Sequence, residues 1–432
     1  MDGQEQSAAP RYRTMLFIVV SLFFLWGVAN NLNDVLIAQF KKAFSLSDLQ
    51  SGLVQSAFYM GYFLLAIPAS LFVRRYGYKS AVVFGLCLYG VGALLFYPAA
   101  EVREYSYFLA ALFVIASGLA FLETSANPLM TMLGSPETAE RRLNFAQAFN
   151  PLGSITGVLI GKHYIFSGVE HNQESLAGLA PDQLAAFYAQ EAQAVQMPYL
   201  VLGGLVLVWA AVVAVTRFSQ VATAVTAPAE SGATLAGFRE LLRKRSFVFG
   251  VVAQFFYVGA QVGVWSFMIR YAQHAVDGIG EKAAASVLVW SLVGFMLGRF
   301  AGTALMLRYN AARLMAAFAG INIVLCLVAV MLGGLPGLLA LAATSFFMSI
   351  MFPTIFAMAL KNLGPLTPSG SSLLVMAIIG GAILPALMGG VSDLSSIRVA
   401  MLLPAGCFAI VGAFALAGRA RGAEARLAQA AC

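Results

Sequence analysis

The strongest constraint in this sequence is a series of apolar runs, each long enough to cross a lipid bilayer as a helix. Such a crossing needs about 20 apolar residues, and twelve runs of this kind follow one another along the 432 residues. Charged residues make up only 10% of the chain, whereas soluble domains carry about 25%. The sequence therefore predicts an all-α membrane protein with twelve transmembrane helices.

The predicted spans form two groups of six on either side of a polar stretch. We predict an N-terminal six-helix bundle at 1–217, a cytoplasmic linker with a surface helix at 218–245, and a C-terminal six-helix bundle with a short basic tail at 246–432. A second surface helix, short and amphipathic, is predicted in the long outer loop from Pro181 to Gln196. The spans are predicted near 15–40, 52–73, 79–98, 105–133, 142–166, 197–217, 246–270, 283–307, 313–333, 337–361, 369–391 and 398–418.

The Lys and Arg residues orient these spans. With the N-terminus in the cytoplasm, 18 of the 26 basic residues fall in cytoplasmic segments, seven fall outside, and Arg299 lies within a span. Cytoplasmic loops of membrane proteins carry an excess of Lys and Arg, so both termini are predicted to be cytoplasmic. Because the basic residues are dispersed over many segments, a nucleic-acid partner is not expected.

Short patterns recur between the two groups of spans at offsets of 225 to 233 residues. Since six is an even number, the second group enters the membrane in the same orientation as the first. Parallel repeats of this kind are typical of the major facilitator fold, whose substrate site lies at the midplane between the halves. The recurring pairs are Phe23–Gly27 with Phe255–Gly259, Arg75-Tyr76 with Arg308-Tyr309, and Pro128 with Pro353.

An acidic residue lies within the first predicted span. Charged side chains inside a membrane are costly, so they indicate function. Asp34 and Asn30 are four residues apart and share one helical face with Trp26. A carboxylate, an amide and an indole suit a sugar, so Trp26, Asn30 and the adjacent Asn31 are predicted to bind substrate, and Asp34 is predicted to be a functional carboxyl on the same face. The alternative is an interface carboxylate near the outer end of the helix.

A second acidic residue, Glu123, lies near the middle of span four. Asn127 is four residues further on, and Pro128 frees a backbone carbonyl that a cavity could satisfy. Because burial disfavours the charged form of a carboxyl, Glu123 is a candidate both for proton coupling and, with Asn127, for sugar binding. The alternative is a neutral, hydrogen-bonded structural glutamate.

Amide and aromatic side chains form stripes on two further spans. Gln147 and Asn150 are three residues apart in span five, and Tyr257, Gln261 and Trp265 follow one another at steps of four in span seven. These five residues are predicted to line the sugar site. Polar stripes of this kind also hold membrane helices together, and that alternative stays open here.

Two arginines are predicted to take part in gating. Arg299, near the inner end of span eight, either snorkels to the interface or caps a neighbouring helix in an inner gate. Arg75 lies in the loop after span two.

The sequence has no P-loop, no HExxH motif and no CxxC motif. We therefore expect no catalytic activity, no metal and no cofactor, with the proton gradient as the energy source.

Several motifs together resemble the fucose:proton symporter family of the major facilitator superfamily, over about residues 15 to 415. The resemblance implies uptake of L-fucose with protons across a bacterial inner membrane. It also implies proton translocation for Asp34, and sugar recognition and protonation for Glu123. The motifs are Phe23-Phe24-Leu25-Trp26, Asn30-Asn31-Leu32-Asn33-Asp34, Leu122-Glu123-Thr124-Ser125-Ala126-Asn127-Pro128, Arg142-Leu143-Asn144-Phe145-Ala146-Gln147, Tyr257-Val258-Gly259-Ala260-Gln261, Gly298-Arg299-Phe300-Ala301-Gly302-Thr303 and Pro353-Thr354-Ile355-Phe356.

Two departures from the family pattern leave alternatives open. The loop around Arg75 lacks the acidic residue of the superfamily's inner-loop signature, which puts the gating pair there in doubt. Met351-Phe352 stands where fucose symporters carry Gln-Tyr, so another hexose such as D-galactose or D-glucose is an alternative substrate. A proton-coupled exporter of organic cations is a rival on the same fold. A monomer is expected, with sugar, protons and the lipid bilayer as partners.

Overall fold

The computed structural model describes residues 14–30, 32, 36, 40, 44, 48–165, 180–216, 218, 231–276, 278, 279 and 281–430. Within these ranges the regular structure is helical and contains no strand. The helices, numbered in chain order, are α1 Thr14–Asn30, α2 Asp48–Leu94, α3 Phe96–Val102, α4 Tyr105–Met132, α5 Ala139–Gln147, α6 Asn150–Ile160, α7 Pro181–Gln193, α8 Gln196–Val215, α9 Ser231–Arg243, α10 Arg245–Ala275, α11 Glu281–Leu305, α12 Ala311–Met331, α13 Gly334–Met348, α14 Met351–Leu360, α15 Thr367–Met376, α16 Gly380–Leu394, α17 Ile397–Ala400 and α18 Leu402–Ala430.

Nine helical stretches in the described part of the chain are long and apolar enough to cross a membrane. The first of them contains two predicted spans. They form the two arms of α2, which bends between them at Gly77, where φ is 80° and ψ is 167°. Glycine adopts this backbone conformation readily because it has no Cβ. The shorter apolar helix α1 corresponds to span one, whose predicted outer part lies mostly outside the described residues.

Span five differs from the continuous helix that its apolar run predicts. It consists of α5 and α6, separated by Ala148 and Phe149, and a π-helical turn at Gly161–Ile165 follows. The break has a local cause, since Pro151 has no N–H to donate to the Gln147 carbonyl. Helices are present at both places where the sequence predicts surface helices, as α7 and α9, and their location at the membrane surface stays a prediction.

The chain folds into two compact units. The first is drawn from the described parts of Met1–Ala126 and Leu152–Val225. Its helices approach closely at glycine: a Cβ on Gly153 in α6 would collide with the Phe24 carbonyl oxygen in α1. The buried Tyr89 hydroxyl donates to the Leu25 carbonyl oxygen at 3.1 Å. Small residues at helix contacts are what membrane bundles need, because they let backbones come together.

The second unit is drawn from the described parts of Asn127–Pro151 and Thr226–Cys432. One of its core clusters packs apolar side chains of α10 against those of α13 and α16, including Val264, Leu341 and Met388. A Cβ on Gly380, the first residue of α16, would collide with the Phe255 carbonyl oxygen in α10. The bundle limits that the sequence predicts, at 217 and 245, stay a prediction.

Candidate functional site

In the first unit, the predicted proton and sugar residues bring together a carboxyl, an indole and a phenol. Glu123 in α4 is buried, with 1% of its surface exposed, and Tyr62 in α2 is buried as well. The Tyr62 hydroxyl and the Trp26 Nε1 are both buried without a hydrogen-bond partner among the described residues, and Tyr62 lies within electrostatic reach of the Glu123 carboxyl. Tyr62 was not among the residues predicted from the sequence, because a single phenol in an apolar span has no periodic pattern to mark it.

The remaining predicted residues of span one are only partly covered by the structure. Asn30 is half-buried at the end of α1, and its Oδ1 has no hydrogen-bond partner among the described side chains. The predicted role of Asn30 in sugar binding stays a prediction. Asn31 and Asp34 lie outside the described residues, so their predicted roles stay predictions.

In the second unit, the predicted amides of spans four and five meet at the break in span five. The Gln147 Nε2 donates to Asn127 Oδ1 at 2.8 Å, and both side chains are buried. Asn127 Nδ2 has no partner within the described part of the chain. The half-buried Asn150 begins α6 on the other side of the break. Amides at such a break are suited to exchange their hydrogen bonds for those of a polar ligand.

Two side chains of the stripe on span seven already form hydrogen bonds with other groups of the protein. The Tyr257 hydroxyl donates to the Met348 carbonyl oxygen at 2.9 Å, and the Trp265 Nε1 donates to Ser345 Oγ at 3.0 Å. Gln261 is half-buried between them along α10. Both donors are occupied and Tyr257 is fully buried, so the sugar contacts predicted for Tyr257 and Trp265 stay predictions.

Gln254 is the first residue of the same stripe, three positions before Tyr257, and it too is predicted from its spacing to line the cavity. Its side chain is fully buried, and neither amide atom has a hydrogen-bond partner among the residues described. An unsatisfied buried polar group costs about 1–3 kcal/mol, so this amide calls for water or another polar group.

Arg299 is the buried cation of the second unit, with 4% of its surface exposed. Its Nε donates to the Ser349 carbonyl oxygen and its Nη1 to the Gln147 carbonyl oxygen, both at 2.8 Å. Its guanidinium carbon lies 4.7 Å from the centroid of the Phe295 ring. Of the two roles left open for this arginine, capping of neighbouring helices matches its contacts.

A second polar contact lies beside this one. Asn144 Nδ2 in α5 donates to Thr354 Oγ1 in α14 at 3.0 Å. The two contacts together hold the end of α5 against the broken helix α13–α14.

The other predicted gating residue, Arg75, is exposed and lies 5.3 Å from the centroid of the Tyr76 ring. Nothing in this geometry brings Arg75 into the buried networks above, so its gating role stays a prediction. Among the described residues, no group of three or more His, Cys, Asp or Glu side chains could hold a metal ion.

Comparison with known proteins shows which proteins this chain is similar to. The family model for the Major Facilitator Superfamily matches residues 15–377. The chain is 45% identical over 415 residues to the L-fucose-proton symporter of Escherichia coli (strain K12), covering 96% of this chain and 94% of that protein. It is 37% identical over 417 residues to a glucose/galactose transporter of Brucella abortus, covering 96% of both chains.

The fold is similar to that of a solved transporter. A crystal structure of the major facilitator superfamily transporter FucP in the outward conformation matches with a TM-score of 0.87 and 44% sequence identity. The match covers 94% of this chain and 99% of the other. The predicted fold class, an all-α membrane protein with the major facilitator fold, is confirmed by these matches. They are matches to transporters and not to enzymes.

Proposed function

The chain belongs to the Major Facilitator Superfamily, and we propose that within it the chain is a proton-coupled importer of L-fucose. The observation that carries this proposal is its 45% identity, over nearly the whole of both chains, to a protein named L-fucose-proton symporter. The carboxyl, indole and phenol of the first unit support it, since these groups suit a polyhydroxylated ligand and an exchangeable proton.

Another hexose is the second candidate, and a specific observation favours it. The chain is also 37% identical to a glucose/galactose transporter over 417 residues. In addition, the resemblance leads one to expect Gln at position 351 and Tyr at position 352. Met351 and Phe352 stand there instead, and neither has a side chain that forms ordinary hydrogen bonds. Glu123 argues for the fucose branch, since the family resemblance implies Gln at this position in glucose and galactose transporters.

We infer that transport follows alternating access about a site near the bilayer midplane. The protein binds a proton and a sugar from outside, the two six-span halves rock, and both ligands leave on the cytoplasmic side. Protonation of Asp34 and Glu123 favours the state that carries sugar. Sugar contacts come from Trp26, Asn30, Asn31, Glu123 and Asn127 in one set and, in the other, from Gln147, Asn150, Tyr257, Gln261 and Trp265.

The protein is a multi-pass membrane transporter, and we propose that it works as a monomer in the bacterial inner membrane with both termini in the cytoplasm. The excess of Lys and Arg in the alternate loops supports this orientation. A C-terminal fusion to green fluorescent protein should fluoresce, whereas a C-terminal fusion to alkaline phosphatase should be inactive. An active phosphatase fusion would reverse the proposed topology.

The first experiment is a sugar pulse given to expressing cells in an unbuffered suspension, with the external pH recorded. We expect alkalinisation with L-fucose and a smaller response, or none, with D-galactose and D-glucose. A larger response to one of the other two sugars would reassign the substrate. Sugar entry without any pH change would make the protein a uniporter and would remove the proton role of both carboxyls.

The variant Asp34→Asn separates coupling from binding. We expect it to lose accumulation of L-fucose against a gradient and to retain counterflow, because exchange of internal for external sugar needs no net proton movement. Both are measured with radiolabelled sugar in proteoliposomes. Accumulation at the wild-type level would exclude Asp34 from coupling.

A further inference from the structure

One arginine in the second unit connects two interruptions of the helical hydrogen-bond ladder. Arg299 donates to the carbonyl oxygen of Gln147, the last residue of α5, and to that of Ser349, which lies between α13 and α14. Both donor–acceptor distances are 2.8 Å. The arginine therefore bridges two broken membrane helices with two arms of one guanidinium group.

The two carbonyls lack their ordinary helical donor for the same reason. In an α-helix the carbonyl of residue i accepts from the N–H of residue i+4. The residue four positions after Gln147 is Pro151, and the residue four positions after Ser349 is Pro353. Proline has no N–H, and an unsatisfied carbonyl in a membrane costs several kcal/mol unless a side chain or cavity water satisfies it.

The sequence around Arg299 lets α11 come close enough to reach the second break. A Cβ on Gly298 would collide with the Phe346 carbonyl oxygen, and one on Gly302 would collide with the Ile350 side chain. The face of the Phe295 ring, 4.7 Å from the guanidinium carbon, supports the charge from the side. These glycines and this ring position the guanidinium between the two carbonyls.

We propose that Pro151 and Pro353 create the two acceptors of a cytoplasmic gate clamp and that Arg299 is its single, two-armed donor. This proposal rests on the proposed transport by alternating access. Gln147 belongs to the first six predicted spans and Ser349 to the second six. When the halves separate on the cytoplasmic side, the bond to Gln147 must break.

The choice of acceptors makes such a clamp reversible. A carboxylate left behind in a membrane would be an unpaired charge, and breaking a buried ion pair is strongly unfavourable. A carbonyl oxygen needs only one new donor, which water supplies once the cavity opens. The Gln147 side chain donates to Asn127 at the predicted sugar site. One residue therefore belongs both to the predicted sugar site and to the clamp.

The clamp is tested by giving the Gln147 carbonyl back its helical donor. The variant Pro151→Ala restores an N–H at position 151 and keeps every side chain of the predicted site. Opening is read from a reporter, Ala146→Cys, placed at a buried position of α5, after Cys87, Cys326, Cys407 and Cys432 are changed to Ser. The measurement is the rate of alkylation by N-ethylmaleimide in proteoliposomes without sugar.

We expect Pro151→Ala to raise the alkylation rate about fivefold, which corresponds to loss of one hydrogen bond from the closed state. Arg299→Lys should raise it similarly, because an ammonium group lacks the fork that spans two acceptors. In the double variant the effects should not multiply, since both remove the same bond. The matched control is Pro68→Ala, at an exposed proline inside α2, with the wild-type rate expected.

An unchanged rate in Pro151→Ala, or effects that multiply in the double variant, would overturn the clamp. Should Arg299→Lys fail to fold, Pro151→Ala measured against its Pro68→Ala control still tests the clamp, because it acts directly on the bond to Gln147. Failure of the proposed function is recognised separately, because wild-type proteoliposomes would then show no L-fucose counterflow while the alkylation cycle still reports on the clamp.

Discussion

The same kind of packing contact occurs inside each of the two units of this transporter. In the first, Gly153 lies against the Phe24 carbonyl, and in the second, Gly380 lies against the Phe255 carbonyl. The glycines are 227 residues apart and the phenylalanines 231, close to the offsets of the recurring sequence patterns. The repeat seen in the sequence is therefore a repeat of helix contacts, which membrane bundles build from small residues.

The same comparison exposes a difference in buried charge. The first unit carries Glu123, a carboxyl that is proposed to gain and lose a proton, near Tyr62. The second carries Arg299, whose guanidinium stays charged and binds backbone carbonyls. A repeated scaffold has thus been given a switchable charge in one unit and a permanent one in the other. This division fits proton coupling in the first unit and mechanical locking in the second.

The largest effect is expected from removing the switchable charge. Glu123→Gln keeps the shape of the side chain but cannot exchange a proton. We expect accumulation of L-fucose to fall by about 100-fold, near the upper end of typical coupling between two ligands, while counterflow persists. Uptake by energised vesicles and counterflow in proteoliposomes measure the two quantities.

The matched control for this variant is Glu191→Gln, at another buried glutamate of the first unit that lies in the surface helix α7. It should leave the ratio of accumulation to counterflow unchanged. If the two glutamine variants behave alike, the switchable charge of the first unit is not Glu123, and the comparison between the units fails at its central residue.

The next largest effect concerns the shared contact. Gly153→Ala and Gly380→Ala should each destabilise the protein by about 1–3 kcal/mol, because the added Cβ collides with a backbone carbonyl. Thermal unfolding in detergent measures this. Gly204→Ala and Gly406→Ala are the controls, since nothing lies within 4 Å of a Cβ added there. Unfolding temperatures equal to those of the controls would show that neither glycine forms a close contact, and a loss in only one of the two variants would show that the contacts are not built alike.

Much of the comparison was predictable from the sequence, and the rest depended on geometry. Glu123 was identifiable because a carboxyl inside a membrane span costs free energy whichever side of the helix it lies on, so the sequence alone marks it. The contacts of Arg299 were not, since its acceptors are backbone carbonyls of residues 152 and 50 positions away. The signal for them was present in Pro151 and Pro353, which free those carbonyls, but only the fold brings the arginine to them.

Similar reasoning explains the aromatic residues. Tyr257 and Trp265 were predicted as sugar ligands from their spacing, which cannot tell whether a donor is free. The structure shows both donors bound to α13, at Met348 and Ser345. Tyr62 escaped notice because its role depends on proximity to Glu123 and Trp26, and a single phenol in an apolar span has no periodic pattern to mark it.

A smaller effect is expected at Tyr62, which sharpens the assignment of the first unit. Tyr62→Phe removes a buried hydroxyl that has no partner among the described residues and that is proposed to bind the sugar. The KM for L-fucose should therefore rise about 3- to 10-fold, as expected for a hydrogen bond worth about 1 kcal/mol. Initial uptake rates over a range of sugar concentrations provide the KM. The control is Tyr89→Phe, whose hydroxyl is bound to the Leu25 carbonyl. It should lower stability and leave the KM alone, and a KM change of equal size there would make the Tyr62 effect one of packing.

The smallest effect tests substrate preference in the second unit. Phe352 is buried, with its ring 6.3 Å from that of Tyr257 and 6.0 Å from that of Phe356, in an edge and a stacked arrangement respectively. Phe352→Tyr adds the hydroxyl that the family resemblance leads one to expect at this position. We expect preference for L-fucose over D-galactose to rise about threefold, as one added hydrogen bond to the ligand allows. Competition between the two sugars in counterflow measures it.

In Phe356→Tyr, the matched variant in the same stacked pair, the new hydroxyl enters a fully buried position and should reduce stability without changing preference. A shift of equal size in both variants would mean that ring packing, and not a hydroxyl facing the sugar, sets selectivity in this unit.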